Sequence, residues 1–332
     1  MRIITIYSNF ENKGGAQDVA LQIAKHLNRS SQCLPIVLTQ TPICNIIKDY
    51  KQQGDFRKFS FSEVKNLKNE QTIFISHSRN TTTLLMLYRI LLGKNLKIVH
   101  VAHNTFTNLK WGTIFPKHII AVSNGVKENL IDYFKIKEER IHVILNGMKD
   151  VKNENNQKSD DNNISILLPG RICPVKQQVE IVKYTKGKLL PHIHIYFAGA
   201  GEDEVKLKEV IGDSKQYRYL GHINMKENLN RFDYVCLFSK KEGLGLSLIE
   251  GCMFGKPLIT NDLPSVLDVN KENETGFVFK SLKSLTDGLN SLPFPNSKEY
   301  LYMSHNARLR YESFFTEEKM IQQYKKILQE IL

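Results

Sequence analysis

The chain has 332 residues, with 46 Lys plus Arg against 34 Asp plus Glu and a formal net charge of +12. At roughly 150 residues per domain, this length predicts two domains, and 41% apolar with 24% charged residues excludes a disordered or fibrous chain. The longest apolar stretch, residues 84–92, is broken by Arg89 and is shorter than the ~20 residues of a spanning helix, and the run 3–7 lacks the length and cleavage pattern of a secretory signal, so a protein neither secreted nor membrane-spanning is expected.

Residues 2–7 read as a buried strand, after which Ala16, Ala20, Ile23, Ala24 and Leu27 recur at helical spacing. Gly14-Gly15 lies between the two. Glycines there let a ligand approach the backbone, and a helix start offers N–H groups to an anion; a plain tight turn is the alternative. With no G-x-G-x-x-G in place, a nicotinamide site is disfavoured. Strands are predicted at 35–38, 72–76, 97–102, 118–122 and 141–145, with helical segments between most of them. That alternation points to a parallel sheet covered on both faces. The Leu-rich stretch 82–96, with Arg89 and Lys94, is read as a core helix between two strands rather than as a membrane-surface helix. Residues 152–163, KNENNQKSDDNN, contain nothing apolar to bury and are the predicted linker.

Beyond it the alternation restarts. Strands are expected at 164–168, 192–198, 217–220, 234–238 and 257–260, and helices near 177–185, from 204, near 226–231, at 246–254 and at 317–332. The run Pro169-Gly170-Arg171-Ile172-Cys173-Pro174-Val175-Lys176 joins a strand to a helix, where the crevice of an open α/β sheet lies. Two cations five residues apart suit the oxygens of a diphosphate, or are simply solvated on a surface loop. A second such junction is Ser239-Lys240-Lys241-Glu242-Gly243-Leu244-Gly245-Leu246-Ser247-Leu248-Ile249-Glu250-Gly251. Gly243 and Gly245 would expose backbone N–H groups at a helix start, and Glu242 and Glu250 would offer carboxylates to sugar diols. Ser247-x-x-Glu250 also has the form of a capping box, which leaves a cap and a ligand role for Glu250 equally open.

Together these residues resemble the retaining glycosyltransferases of family 4. Glu242 and Glu250 match that family's E-x7-E motif, Arg171 and Lys176 its G-R-x-x-x-x-K element, Gly14-Gly15 its N-terminal glycine loop, and Asn146-Gly147 its N-G. Gly199-x-Gly201 and Gly221-His222-Ile223 fall where the family has G-x-G and L-G-x-V. The resemblance implies the GT-B fold: α/β, with two doubly wound Rossmann-like domains facing each other across a cleft. An acceptor-side domain would occupy 1–151, with a helix at about 316–332 packing back on it, and a nucleotide-sugar-binding domain would occupy 164–315.

It also implies roles. Glu250 would bind the ribose, the Ile223 backbone the base, and Arg171 and Lys176 the diphosphate. Glu242 and the amides of Gly243, Leu244, Gly245 and Leu246 would hold the donor sugar, Gly14, Gly15 and Gly170 would also belong to the donor site, and the catalytic set would be His103, Glu242, Arg171 and Lys176. His103 matches the family's histidine near the reacting carbon. His77 is a second candidate, for which a hydrogen-bonded structural role is expected. The implied activity is retaining, metal-independent transfer of a sugar, from a UDP-sugar rather than a GDP-sugar, to a glycan or lipid-linked acceptor of a surface polysaccharide or lipooligosaccharide. No cofactor is implied. The sequence has no D-x-D of the metal-using transferases, and Glu202-Asp203-Glu204 reads as a helix start. An epimerase or phosphorylase of the same fold is the alternative; a nucleic-acid binder is a distant one, with no helix-turn-helix, RNP or zinc-finger signature to support it.

Five cysteines, Cys33, Cys44, Cys173, Cys236 and Cys252, have no C-x-x-C spacing and predict buried free thiols in a cytoplasmic protein. Residues 1–150 hold 21 basic and 11 acidic side chains, a net of +10, while the remainder is nearly neutral. By itself that excess fits nucleic acid, an anionic membrane surface or a phosphorylated substrate alike; because the resemblance makes this half the acceptor side, it implies an anionic acceptor or peripheral contact with the anionic inner face of the membrane that carries it, with nucleic acid last.

Overall fold

The computed structural model describes residues 2–28, 33–93, 95–151 and 162–332. Most of the predicted linker, 152–161, therefore lies outside the described residues. The chain divides into two compact units, Met1–Asn146 with Glu318–Leu332, and Gly147–Glu317.

In the first unit, seven strands are formed by the described residues: β1 (Arg2–Ile6), β2 (Ile36–Thr39), β3 (Asp55–Lys58), β4 (Thr72–Ser76), β5 (Lys97–Ala102), β6 (His118–Ala121) and β7 (Ile141–Val143). They form one parallel sheet in the order β3-β2-β1-β4-β5-β6-β7. The order reverses between β1 and β4, and such a switch point opens a crevice at the carboxyl ends of the strands. The central strands are β-branched and buried along almost their whole length, as a sheet covered on both faces requires. One core gathers Ile4, Ile6, Leu38, Phe74, Leu85 and Ile98; an aromatic one gathers Phe10, Tyr50 and Phe56. Strand β3 was not predicted. Three of its four residues are charged, and Arg57 is held by Asp55 and Glu63 at 2.6 and 2.9 Å. Helix Arg79–Leu92 buries Thr81, Thr82 and Leu85 beside the sheet but leaves Leu87, Ile90 and Leu91 exposed. Helix Glu317–Ile331 buries Met320, Ile321, Tyr324 and Leu328.

The second unit contains β8 (Ile164–Pro169), β9 (Ile193–Ala198), β10 (Tyr217–Gly221), β11 (Tyr234–Leu237), β12 (Leu258–Thr260) and β13 (Gly276–Val278). They too are parallel, in the order β10-β9-β8-β11-β12-β13, so the switch point falls between β8 and β11. Gly147 sits where the chain crosses its own return: a Cβ there would stand 2.2 Å from the Thr316 carbonyl oxygen. Met148 donates to Phe315 and accepts from Glu317, at 2.8 and 2.9 Å, which explains the Asn146-Gly147 signal as a close backbone approach.

All five cysteines are free, but only Cys236 and Cys252 are buried. The expectation of uniform burial fails because Cys33 and Cys44, both exposed, stand outside the sheet, Cys33 before β2 and Cys44 in the single turn Ile43–Asn45, and Cys173 is half-buried in the loop after β8.

Candidate functional site

In the second unit the two loops at the β8/β11 switch point are tied together. Lys176 Nζ forms an ion pair and hydrogen bond with Glu242 Oε2, and the two side chains are only 20% and 16% exposed. The chain reaches this geometry through Gly170, whose φ of +132° lets it turn sharply after β8. Gly199 and Gly201 receive that turn. A Cβ on Gly199 would lie 2.0 Å from the Gly170 carbonyl oxygen, and one on Gly201 2.2 Å from that of Ile172. Backbone bonds from Gly170 to Ala198, from Ile172 to Ala200 and from Gly199 to Gly221, at 2.7–3.0 Å, zip the ends of β8, β9 and β10 together. Arg171 is exposed on this loop, whereas Ile223 stands half-buried beyond β10.

The helix of the second loop, Leu246–Met253, begins at Gly245 as N-cap, in the left-handed region with φ +83°, and carries no side-chain cap. The capping box read into Ser247-x-x-Glu250 is therefore absent: Ser247 is already the second helical residue and cannot cap the helix. Glu250 is half-buried on the fifth residue of the helix. Gly243, Leu244 and Gly245 are buried, and Leu246 is half-buried, so the backbone of this loop is embedded in the unit. The first amides of such a helix have no acceptor of their own within it.

In the first unit, Gly14 is the N-cap of helix Gly15–Leu27. Its N–H donates to the Tyr50 hydroxyl at 3.1 Å, and that hydroxyl donates to Asp18 at 2.9 Å. His103 follows β5, and His77 follows β4. Their rings stack at 5.1 Å, with His77 Nδ1 and His103 Nε2 hydrogen-bonded at 2.8 Å. The structural role expected for His77 is thus a bond to the other candidate. His77 is 4% exposed, and its Nε2 is buried without a partner among the described residues. Neighbouring His100 bonds Thr82 Oγ1 at 2.7 Å.

All three imidazoles are kept neutral. Burial lowers His103 to about 4; burial, then the neighbouring His103 and Arg79, lowers His100 to about 3. Burial, with His103 beside it, takes His77 well below the usual imidazole range. Unfolded imidazoles titrate near 6.5. Between that pH and the lowered values the unfolded chain binds more protons, so stability is complete above about pH 6.5 and declines as the pH falls toward 4 and then 3. The melting temperature is expected to drop on acidification from pH 7 to 4.5, and to drop less in His103→Asn. Equal slopes in the two proteins would contradict neutral burial.

The sequence did not point to several residues that shape these sites. Gln178 bridges the Cys173 amide and the Arg171 carbonyl at 3.4 and 3.0 Å, and Gln177 Nε2 donates to Phe238 at 3.1 Å. Ser265 Oγ donates to the Glu242 carbonyl at 2.8 Å, and Asn261 Nδ2 to that of Ser239 at 2.7 Å. Polar residues immediately after a predicted strand, such as Asn261-Asp262, were the only available signal. Among the described residues, no group of three His, Cys, Asp or Glu side chains stands in metal-ligating range, and no helix is long and apolar enough to cross a membrane.

Comparison with known proteins agrees with this geometry. The family described as Glycosyl transferases group 1 matches residues 149–310, and that described as Glycosyltransferase Family 4 matches residues 13–150. The O-antigen biosynthesis glycosyltransferase WbnH of Escherichia coli is 23% identical over 242 residues, 69% of each chain. An uncharacterized glycosyltransferase of Haemophilus influenzae is 29% identical over 178 residues, 50% of this chain and 49% of its own. Among solved structures, Anabaena HepE in complex with UDP superposes with a TM-score of 0.84 at 16% identity, covering 99% of this chain and 100% of that one. The lipopolysaccharide outer core galactosyltransferase WaaB, in its apo form, gives 0.79 at 16% identity over the full length of both. With two parallel Rossmann-like sheets and two adjoining family matches that span nearly the whole chain, the protein belongs to the glycosyltransferases of the GT-B fold.

Proposed function

We propose that the protein is a retaining, metal-independent glycosyltransferase of family 4 that moves a hexose from a UDP-sugar to a glycan or lipid-linked acceptor in surface polysaccharide or lipooligosaccharide assembly. The observation that carries this reading is the Lys176–Glu242 pair at the β8/β11 switch point. A cation suited to phosphate and a carboxylate suited to sugar hydroxyls stand there in contact. Arg171 and Lys176 take the diphosphate, Glu250 the ribose, the Ile223 backbone the base, and Glu242 with the amides of residues 243–246 the sugar. The names of the relatives support the substrate class: WbnH is an O-antigen enzyme, WaaB a lipopolysaccharide galactosyltransferase, and HepE was solved with UDP and with UDP-glucose.

In the reaction proposed, the bond from the anomeric carbon to the diphosphate oxygen breaks while an acceptor hydroxyl oxygen bonds that carbon on the same face. The hydroxyl proton passes to the departing diphosphate. Lys176 and Arg171 stabilise the charge that grows there, the largest single contribution such a site makes.

A panel of nucleotides and nucleotide sugars tests the donor. UDP is expected to raise the melting temperature, since a ligand of the folded state must stabilise it, and a UDP-sugar is expected to be turned over as fully in the presence of a chelator as without it. Anomeric retention is read by NMR of the product, with and without acceptor. A shift by GDP alone, or activity abolished by chelation, would overturn the corresponding part. The basic first unit suits work at the anionic cytoplasmic membrane face, which salt-reversible sedimentation with anionic but not neutral vesicles would reveal.

A further inference from the structure

The crevice of the first unit contains a cation that the donor does not account for. A cavity of about 340 Å³ opens at the carboxyl ends of β1, β4 and β5, lined by Tyr7, His77, Arg79, Asn80, His103 and Asn104 among others. None of its lining residues is Asp or Glu. Its imidazoles are neutral, for the reasons given above, so Arg79 is its one permanent charge among the described residues.

Arg79 is held firmly. Nη1 and Nη2 donate to the carbonyl oxygen and Oδ1 of Asn108, both at 2.9 Å, and the guanidinium lies 3.8 Å from the Phe106 ring centroid. Those contacts use two of its five N–H donors and fix its plane. They bring no negative charge. No carboxylate among the described residues forms an ion pair with it. A half-buried guanidinium without a counter-charge, at the rim of a cavity without acids, costs solvation that an incoming anion would restore. Anchoring the loop at 106–108 would by itself require no charge.

We propose that this cavity receives an anionic group of the acceptor, a carboxylate or phosphate, with Arg79 as its counter-charge. The proposal rests on the glycosyltransferase reading and narrows it to acidic acceptors. The donor's diphosphate has the same chemistry but has its own cations, Arg171 and Lys176, in the other unit.

Inorganic phosphate and UDP separate the two sources. With the full chain labelled at the histidine rings, phosphate titration at constant ionic strength is expected to shift the His103 signal saturably. Arg79→Gln is expected to weaken that response by about tenfold, the ordinary cost of a lost charged hydrogen-bond partner, while the UDP affinity measured by calorimetry stays unchanged. Asn108→Ala, which loosens the loop and keeps the cation, is expected to bind phosphate like the unmodified chain. If Arg79→Gln does not fold, Arg79→Lys replaces it and is expected to bind phosphate more weakly than Asn108→Ala; binding as tight as in Asn108→Ala would overturn the proposal. No saturable shift in the unmodified chain, or an equal shift in Arg79→Gln, would also overturn it. So would a matching loss of UDP affinity, which would assign the guanidinium to the donor. Failure of the unmodified chain to bind UDP would instead count against the UDP-sugar donor of the proposed function and leave the phosphate result standing.

Discussion

Replacing Lys176 with Ala is expected to lower the turnover of a UDP-sugar by about a hundredfold to a thousandfold, the loss typical when one stabilising group is removed from a developing anion. The structure adds a second consequence. Lys176 is paired with Glu242, and both side chains are largely covered. Removing the cation leaves a poorly solvated carboxylate beside the place proposed for two phosphates, so nucleotide affinity falls by repulsion as well as by lost attraction. The double variant Lys176→Ala, Glu242→Gln separates the two effects: UDP affinity by calorimetry is expected to recover in part, while turnover stays low. A single variant with normal turnover, or a double variant that binds UDP no better than the single one, would refute this account of the pair.

Gly199→Ala is expected to be among the most destabilising single substitutions in the second unit. Its φ of +136° is costly for any residue with a Cβ, and that Cβ would stand 2.0 Å from the Gly170 carbonyl oxygen. The neighbour is backbone and cannot give way cheaply. Gly170 donates to Ala198 at 2.8 Å, Gly199 donates to Gly221 at 2.7 Å, and Tyr219 donates to the Gly199 carbonyl at 2.8 Å, so relief at one point breaks bonds at the others. A loss of at least about 3 kcal/mol follows, placing this change among the severe ones, and for a unit of this size that is a fall of about 10 °C in melting temperature. Gly187→Ala is the control. Gly187 also has positive φ, +78°, but nothing lies within 4 Å of its missing Cβ. Calorimetric scans that show equal losses for the two would remove steric contact from the explanation.

What could be read in the sequence was what short-range chemistry determines. Buried β-branched runs announced β1, β4, β5 and the central strands of the second unit, and glycines after strands marked the sharp turns of the donor loops. Strand β3 was hidden because three of its four residues are charged and Arg57 finds a partner as far as six residues away, and β13, only three residues long, opens on a glycine. Helix Lys298–Phe314 was missed because its buried stripe is Tyr300, Met303, Ala307 and Tyr311, half of it phenolic. Contacts across long separations were beyond reach: Tyr50 with Gly14, 36 residues apart; His77 with His103, 26 apart; Lys176 with Glu242, 66 apart. The two histidines, Lys176 and Glu242 could each be picked as polar and near a strand end, but only the sheet order says which strand ends are neighbours.

The bond between the two histidines couples their tautomers. Two neutral imidazoles that share one hydrogen bond must present opposite faces at their remaining nitrogens: if His103 Nδ1 carries a proton, His77 Nε2 does not, and the reverse. A proton that arrives at His103 Nδ1 therefore pushes another through the pair toward His77 Nε2. That nitrogen is buried and meets no acceptor among the described residues. Among the described residues the pair therefore offers a proton an exit at His103 and no acceptor at His77.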